Sequence, residues 1–521
     1  MYEIGMTYPH PDHKERIERY RQNRKLFMGD ASIKLTEGTI ETAFDILDRY
    51  HDTLSTSQRR TLRISTNLAG IICKKSADFL FGENPVFSAG LQDDSPEQRA
   101  LERWVSENDL HIVNYESALS NAYRGDSFYK IRWGQEHNGL LPQALDPFRV
   151  IIEPQNAEYV FPETYPGDKT RIFAYHIAIP IEVEGTKGSE WVLKCESHYP
   201  GKIVYREFSM KPTVVTIGNT PTEWRIYAET KEKQVVETNI PFPLVVHVPN
   251  YSTDDSWEGI DDLSEHRTLL AEINSRLSLI AEILDKHADP AMVVPAGTLM
   301  EDEHGNPAFR VGIDKVFELS DKADVEPKYV TWNGQIDAAF KEIDKLIDLF
   351  LITAEIPAVA LGAGDSGTSG SSGLAIKWRL NSLLAKINRK RQYYDKALRR
   401  IFTIAQMLEH DRKTKVDYEF FNPSIKFMDG LPKDEMEQAS IMQIRTGGKA
   451  TISQKRAIME IDNLTEEQAQ RVVEEINNEE QIDAVDPTAF QTDALFSNED
   501  SQQDQQTDDI TQEDPQQTAG D

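Results

Sequence analysis

Cysteine is nearly absent from this chain of 521 residues, which contains only Cys73 and Cys195. Two cysteines are too few for a disulfide framework or a thiolate zinc site, and they predict a reducing compartment. Long apolar runs are also lacking, since no stretch reaches the roughly 18 residues that a membrane-spanning helix needs. The first 20 residues contain no apolar core of the kind found in secretory signals. We therefore expect a protein that is made and kept in a cytoplasm-like space and has no membrane partner.

The usual sequence motifs of enzymes are missing as well. There is no G-x-S-x-G elbow, and the 12 histidines are scattered along the chain. The glycines from Gly362 to Gly367 have the spacing of a dinucleotide-binding turn, but a helical pattern rather than a strand precedes them. The segment Arg445–Ala450 lacks the leading glycine and the Ser/Thr of an ATP-binding loop. The sequence therefore predicts no catalytic residue, no cofactor, no metal site and no enzymatic activity.

Positive charge is scarce relative to negative charge. Asp and Glu number 87 against 57 Lys and Arg, which gives a formal net charge of -30. This balance argues against tight binding of nucleic acid, because phosphates are held by basic surface. It is compatible with a nucleic acid that must slide past without sticking. About half of the excess lies after Arg471, where no Lys or Arg occurs, and residues 481–521 are predicted to form a disordered acidic tail.

Two amphipathic helical patterns are the clearest feature that is present. Each has a narrow apolar seam that needs a neighbouring helix to cover it. Between the patterns, residues 290–332 are rich in Val and Phe and are interrupted by Gly and Pro. Two helices that leave a body, carry a small cap and return predict a stalk, and Asp261–Asp262 suit the start of its first helix. The seam residues are Leu263, Leu270, Ile273, Leu277, Ile280 and Leu284 in the first pattern, and Ile336, Phe340, Ile343, Ile347 and Phe350 in the second.

A Gly/Ser-rich segment separates the stalk from a long basic helix that begins at Leu374. Small residues without apolar anchors predict a mobile loop. The segment contains Gly362, Gly364, Asp365, Ser366, Gly367, Thr368, Ser369, Gly370, Ser371, Ser372 and Gly373. The helix admits two interpretations: a core helix whose polar side pairs with nearby Asp and Glu, or a helix whose cations contact phosphate or a neighbouring subunit. The candidates for such contacts are Lys377, Arg379, Lys386, Arg389 and Lys390.

The rest of the chain predicts a mixed architecture. Residues 1–30 have the composition of a polar, basic arm. Helical spacing ends at Gly82, resumes from Ser95 to Tyr123, and gives way to strand-like segments up to Pro249. Val416–Phe421 favours a strand, and two further helices are predicted between Lys433 and Asn477. The fold class is therefore α+β.

In this order, the features resemble the portal proteins of tailed bacteriophages, most closely the Gp6-type portals of siphophages. Asn67–Pro85 (NLAGIICKKSADFLFGENP) is similar to the family's helix that ends in an F/Y-x-F-G-x-P turn. Asn121–Trp133 (NAYRGDSFYKIRW) is similar to the segment in which a glycine precedes an aromatic strand. The resemblance extends from about Glu41 to Asn477. It implies a portal fold with a small α/β clip, divided as follows: arm 1–30, wing 31–258, stem helix 259–289, clip 290–332, stem helix 333–357, tunnel loop 358–373, long helix and return to the wing 374–431, helical crown 432–480 and tail 481–521.

The same resemblance implies a function. Portal proteins form a ring, usually of about twelve subunits, at one capsid vertex, and double-stranded DNA passes through it without sequence-specific contacts during packaging and ejection. The implied partners are the terminase large subunit, the head–tail adaptor, and the major capsid and scaffolding proteins. The implied location is the virion, with the host cytoplasm during assembly. The residues alone also admit another phage structural protein, a capsid or tail-adaptor component without a DNA channel.

Overall fold

The protein is described by a computed structural model that covers residues 2–30, 64–90, 95–137, 139–185, 188–215, 221–288, 292–293, 300–301, 307–308, 328–329, 336–362, 373–428, 430, 435–447, 450–462 and 466–483. The chain divides into two compact units, Met1–Pro432 and Lys433–Asp521. The described residues end at position 483, so the predicted tail lies outside them from position 484 onward.

The first unit combines helices with antiparallel sheets, so the predicted mixture of α and β structure is confirmed. Its helices are α1 (Pro11–Met28), α2 (Leu68–Phe81), α3 (Pro96–Glu107), α4 (Leu110–Arg124), α5 (Arg267–Ala288), α6 (Ile336–Thr353), α7 (Gly373–Arg379) and α8 (Asn381–Arg412). Its strands are β1 (Thr7–Tyr8), β2 (Val86–Ser88), β3 (Asp126–Gly134), β4 (Arg149–Gln155), β5 (Val160–Tyr165), β6 (Asp168–Gly185), β7 (Gly188–Tyr199), β8 (Lys202–Val215), β9 (Pro221–Glu237), β10 (Val245–Pro249), β11 (Met292–Val293), β12 (Met300–Glu301), β13 (Pro307–Ala308), β14 (Lys328–Tyr329) and β15 (Ser424–Lys426).

The N-terminal residues, predicted as a basic arm, contain helix α1, which packs into the first unit. Gly29 ends this helix in the left-handed conformation (φ 73°), which a residue without Cβ adopts at little cost. The Arg16 guanidinium is buried and donates to the carbonyl of Val160 at 3.0 Å. Buried Tyr20 donates to the Asp126 carboxylate at 2.5 Å. The segment is therefore part of the folded body rather than a free arm.

A six-stranded antiparallel sheet dominates the β-rich part, in the order β1-β9-β8-β7-β6-β5. Strands β7 and β8 are joined by a tight turn in which Tyr199 pairs with Lys202 and Gly201 takes a φ of 82°. Residues at alternate positions of a strand share one face, and one face of this sheet carries a core. That core contains Phe161, Ala178, Leu193, Cys195, Phe208, Met210, Trp224 and Ile226.

The largest core lies where helices meet a three-stranded sheet, in the order β10-β3-β4. Trp104 of α3 is 1% exposed, and its ring centroid lies 6.3 Å from that of Phe402 on α8. Leu263, just before α5, and Phe350, near the end of α6, belong to the same core and are fully buried. The base of the predicted stalk therefore packs in the main core of the unit.

Two glycines allow the chain to cross itself beside this core. Gly125 has a φ of 91°, and a Cβ there would lie 2.4 Å from the carbonyl oxygen of Gly259. A Cβ on Gly259 would lie 1.9 Å from the Gly125 oxygen. Neither position tolerates a side chain, which gives a physical reason for the glycine that precedes the aromatic strand β3.

Several predicted boundaries differ from the structure. The first stem helix begins at Arg267 rather than at position 259, because residues before Ser264 follow an irregular path through the core. The helix predicted from Ser95 to Tyr123 is two helices, separated where Asp109 takes a φ of 45°. The prediction of a strand at Val416–Phe421 is wrong, since the strand in this region is Ser424–Lys426, which pairs with β2. The long helix also starts earlier, at Gly373, and is interrupted at Leu380.

The second unit contains three short helices in its described residues: α9 (Glu435–Thr446), α10 (Gln454–Asp462) and α11 (Glu466–Asp483). Small side chains mark the contact between the last two, since Ala457 is 5% exposed and Ala469 is fully buried. The Ser453 hydroxyl accepts from the Arg456 N–H at 3.3 Å and so caps the start of α10.

Candidate functional site at the base of the stem

The two stem helices, α5 and α6, contact each other along the predicted seam. Near their base the His266 ring lies 5.6 Å from that of Phe350 in an edge-to-face arrangement. Further along, the Arg276 guanidinium lies 3.3 Å from the Glu342 carboxylate and bridges the helices. Apolar packing at the base and an ion pair above it therefore hold the pair together.

Burial of the predicted seam residues is graded along the stem. Leu270, Ile273, Ile280, Ile343 and Phe350 are buried, and Leu277 and Ile347 are partly buried against the main core. Leu284 and Phe340 remain 47% and 46% exposed. Leu263 is buried but precedes the helix, and the side chain of Ile336 lies outside the described residues. The heptad-like spacing thus marks a packing face whose upper part stays uncovered within one chain.

The second stem helix ends in a sharp reversal at Glu355. This residue has a φ of 59°, a conformation that disfavours residues with a Cβ. The reversal closes with the Ile356 N–H donating to the Leu351 carbonyl at 3.0 Å. A short 3-10 helix, Ala358–Leu361, leads from it to Gly362, which takes a φ of 74°.

Of the Gly/Ser-rich residues predicted to approach DNA, the structure describes Gly362 and Gly373. Gly362 caps the 3-10 helix, and Gly373 is already the first residue of α7. The members Gly364, Asp365, Ser366, Gly367, Thr368, Ser369, Gly370, Ser371 and Ser372 lie outside the described residues.

A buried carboxylate organises the base of the stem. Asp262 accepts from the Lys390 ammonium at 2.5 Å and lies 3.4 Å from that of Lys386. The amide of Asn250 donates to the same carboxylate at 3.0 Å, and the Ser76 hydroxyl lies 3.2 Å away. Both lysines lie on α8, Ser76 lies on α2 and Asn250 follows β10, so this one carboxylate joins the start of the stem to three other parts of the chain.

The lysines extend the link to the second stem helix. The Lys386 ammonium donates to the carbonyl of Ala354, just after α6, at 3.1 Å. Both stem helices are therefore tied at their base to α8, the long helix that follows α7. The neighbouring Asp261 has the role that the sequence suggested for the acidic pair, since its carboxylate accepts from the N–H groups of Leu263 and Ser264 at 2.9 and 2.6 Å.

The electrostatics of this cluster are those of a buried ion group. Burial acts to raise the pKa of Asp262, but Lys386 and Lys390 outweigh it and hold that pKa well below its usual range. Burial lowers the pKa of Lys390 to about 8, against the opposing pull of Asp262. One carboxylate therefore faces two buried lysine side chains.

The structure corrects the prediction of Lys386 and Lys390 as contacts for DNA or a neighbour. They are 6% and 3% exposed, and their ammonium groups are satisfied inside the chain. The first interpretation of the helix, that its cations pair with nearby acids, is therefore right for these two. The sequence marked the basic cluster but contained no signal that Asp262 would be buried beside it.

The other three candidates are placed differently. Arg389 pairs with Glu355, and both side chains are partly exposed. Lys377 and Arg379 lie on α7 with exposed side chains, next to Trp378, which is 72% exposed. Contact of these cations with DNA or another subunit stays a prediction.

In the described part of the chain, no group of three or more His, Cys, Asp or Glu is placed to hold a metal ion. Each helix in that part is too short or too polar to span a bilayer. The described site is a two-helix stalk whose base is tied to an α+β body by buried charges.

Comparison with protein families identifies the family to which the chain belongs. The family model described as "Phage portal protein, SPP1 Gp6-like" matches residues 10–482, nearly the whole chain, and the chain belongs to this family. Comparison with curated proteins found no match. Family membership gives the chain a portal function in a bacteriophage. With it come the general properties of portal proteins: an oligomeric ring at a capsid vertex, and partners among capsid and packaging proteins.

Proposed function

We propose that this protein forms a ring of about twelve copies whose central channel conducts double-stranded DNA during packaging and ejection. The observation that carries the proposal is the family match over residues 10–482. The order of the described elements agrees with it: helix α5, short strand pairs, helix α6, a loop and the long helix α8 follow one another as a portal subunit requires.

The proposal assigns the parts of the chain as follows. Helices α5 and α6 form the stem, and residues 290–332 form the clip, which docks the terminase large subunit and later the head–tail adaptor. Residues 358–373 form the tunnel loop that approaches the DNA. The wing (31–258) and the crown (432–480) contact capsid and scaffolding proteins during assembly in the host cytoplasm. No enzymatic activity is part of this role.

Exposed apolar side chains on the stem support the ring. Leu284, Phe340 and Ile352 are 47%, 46% and 68% exposed in the single chain. Apolar groups repeated along one element are suited to contact with further copies around a closed ring. These exposed side chains, from the upper stem down to Ile352 at its base, form the surface that we assign to neighbouring subunits.

The charge of the chain suits a channel through which a polyanion moves. A net charge of -30 per copy repels phosphates and limits the counterion release that makes DNA binding tight. The Gly/Ser-rich loop offers no long side chain to grip a base or a phosphate. Lys377 and Arg379, exposed beside the loop, are the cations that we assign to DNA or to a neighbouring subunit.

The proposal is tested by measuring the particle and then shortening the loop. Twelve copies of the 59.3 kDa chain weigh about 710 kDa by light scattering, and end-on electron micrographs are expected to show a central hole. Deletion of Gly364–Ser372 should leave the ring intact but reduce DNA packaging, whereas a scrambled loop of the same composition should package normally. A chain that stays monomeric would refute the ring, and a deletion that abolishes assembly would make the loop an interface instead.

A further inference from the structure

A solvent-open cleft of about 330 Å³ lies between strand β10, the segment that follows it and the middle of helix α8. Lys396 and Arg400 contribute one wall, and Ser252 and Ser256 contribute another. The cleft is distinct from the cluster around Asp262. The portal role has no need of this cleft.

The charge of the cleft is opposite to that of the chain as a whole. Its lining includes Lys396 and Arg400 and no Asp or Glu, although acidic residues outnumber basic ones by 87 to 57 in the sequence. Two of its lining residues, Thr170 and Thr253, donate their hydroxyls to Asp168 and Asp255, which are not part of the lining. The lining itself therefore carries two cations and no carboxylate.

Both cations are uncommitted in the described part of the chain. Lys396 and Arg400 are four residues apart on α8, so their side chains lie on the same side of the helix. Neither makes an ion pair there. The Arg400 guanidinium carbon lies 3.3 Å from the centroid of the Phe242 ring, which fixes the group without neutralising it. Partial burial also lowers the pKa of Arg400.

The opposite wall offers hydrogen-bond donors. The Ser256 hydroxyl accepts from the Glu258 N–H at 3.1 Å, which leaves its own proton free to donate into the cleft. The Tyr393 hydroxyl accepts from the Ser252 N–H at 3.3 Å and so positions the serine segment against α8. A guanidinium, an ammonium and serine hydroxyls around one concave space are the groups that bind tetrahedral oxyanions.

We propose that this cleft binds a small phosphate-bearing ligand, with Lys396 and Arg400 on one side of the phosphate and the hydroxyls of Ser252 and Ser256 on the other. A small ligand fits better than a DNA duplex, because the cations lie within one helical turn in a concave space rather than along an extended ridge. Duplex DNA instead needs basic surface spread over many phosphates.

The test is isothermal titration calorimetry on the assembled full-length protein with inorganic phosphate, and separately with glycerol phosphate, at fixed ionic strength in chloride. The wild type should bind both, and Lys396→Gln with Arg400→Gln should weaken binding roughly tenfold or more, because two charge-assisted contacts are lost. Lys202→Ala with Lys211→Ala removes two exposed cations outside the cleft and should leave the affinity unchanged. Equal thermal unfolding midpoints show that all variants are folded.

Two results would overturn the proposal. One is absence of phosphate binding by the folded wild type, and the other is equal binding by the Lys396/Arg400 variant. A third titration uses a short DNA duplex in place of phosphate. If the duplex binds through Lys396 and Arg400 while inorganic phosphate does not, the cleft is a nucleic-acid contact and the small-ligand assignment is wrong. None of these outcomes depends on ring size or DNA packaging, so the portal proposal is tested independently.

Discussion

Helix α8 carries two pairs of cations at the same spacing in opposite environments. Lys386 and Lys390 are buried and share the carboxylate of Asp262 at the base of the stem. Lys396 and Arg400 are exposed, line a cleft and make no ion pair in the part of the chain that the structure describes. Both pairs are four residues apart, so their position along α8, rather than their spacing, decides whether the cations are buried in an ion group or exposed in a cleft.

The two environments differ in how much the free energy of unfolding falls when one charge is removed. A buried ion group that loses one partner leaves the others charged and without water, which is strongly unfavourable. An exposed cation is solvated whether or not it has a partner, so its removal changes stability little. The comparison between the two pairs therefore makes quantitative predictions.

The largest effect is expected from Asp262→Ala. Two buried ammonium groups would then lack a counter-ion, and the free energy of unfolding should fall by about 3–5 kcal/mol, measured by urea denaturation with tryptophan fluorescence. Asp254→Ala is the matched control, because Asp254 is exposed, and its effect should stay within about 0.5 kcal/mol. A loss at Asp262 as small as at Asp254 would show that the cluster does not hold the stem.

A compensated variant sharpens the same comparison. Combining Asp262→Leu with Lys386→Met and Lys390→Met replaces the whole ion group by apolar side chains of similar size. Such replacements are often neutral or stabilising, so most of the stability lost in Asp262→Ala should return. Persistent destabilisation would instead point to the hydrogen bond from Lys386 to the Ala354 carbonyl as the essential link.

The sequence predicted more of the fold than of the charged site. The two stem helices, the helix ending at Gly82 and the alternating strands followed from apolar periodicity, because burial of one face imposes that pattern. The base of the stem could not be predicted in the same way. Asp262 looked like a helix cap beside Asp261, and only the tertiary path through Gly125 and Gly259 buries it against α8.

The cleft could not be predicted either, for a related reason. Lys396 and Arg400 stood in a run of basic residues with Lys386, Arg389 and Lys390, and nothing local distinguished them. Their partners across the cleft, Ser252 and Ser256, are more than a hundred residues away in sequence. Propensity and spacing describe one element at a time, whereas both charged sites are made by elements that meet in space.

A pH effect of intermediate size should distinguish buried Lys390 from exposed Lys396. Burial lowers the pKa of Lys390 from the ordinary 10.5 to about 8, so between these values the unfolded chain binds more protons than the folded one. The free energy of unfolding of the wild type should therefore rise with pH across that window, relative to Lys390→Met. The measurement is a series of urea titrations from pH 7.5 to 10.5.

Lys396→Met is the matched variant for this series, since it removes an exposed lysine from the same helix. It shows how much of any slope comes from the loss of one positive charge alone. If the two variants show the same slope against the wild type, Lys390 is not held in an environment that disfavours its charged form.

The smallest effect is expected at Arg389, which lies between Lys386 and Lys390 in sequence but has an exposed side chain. Its partner Glu355 combines a partly exposed ion pair with a left-handed backbone at the end of the second stem helix. Glu355→Ala and Glu355→Gly both remove the ion pair, but only glycine also relieves the backbone. The glycine variant should therefore be the more stable of the two by about 1 kcal/mol in urea denaturation. Equal stabilities would mean that the backbone at position 355 relaxes once the ion pair with Arg389 is lost. The exposed Arg389–Glu355 pair would then help to set the path of the chain from the stem to the tunnel loop, as the buried Asp262–Lys390 pair does at the base of the stem.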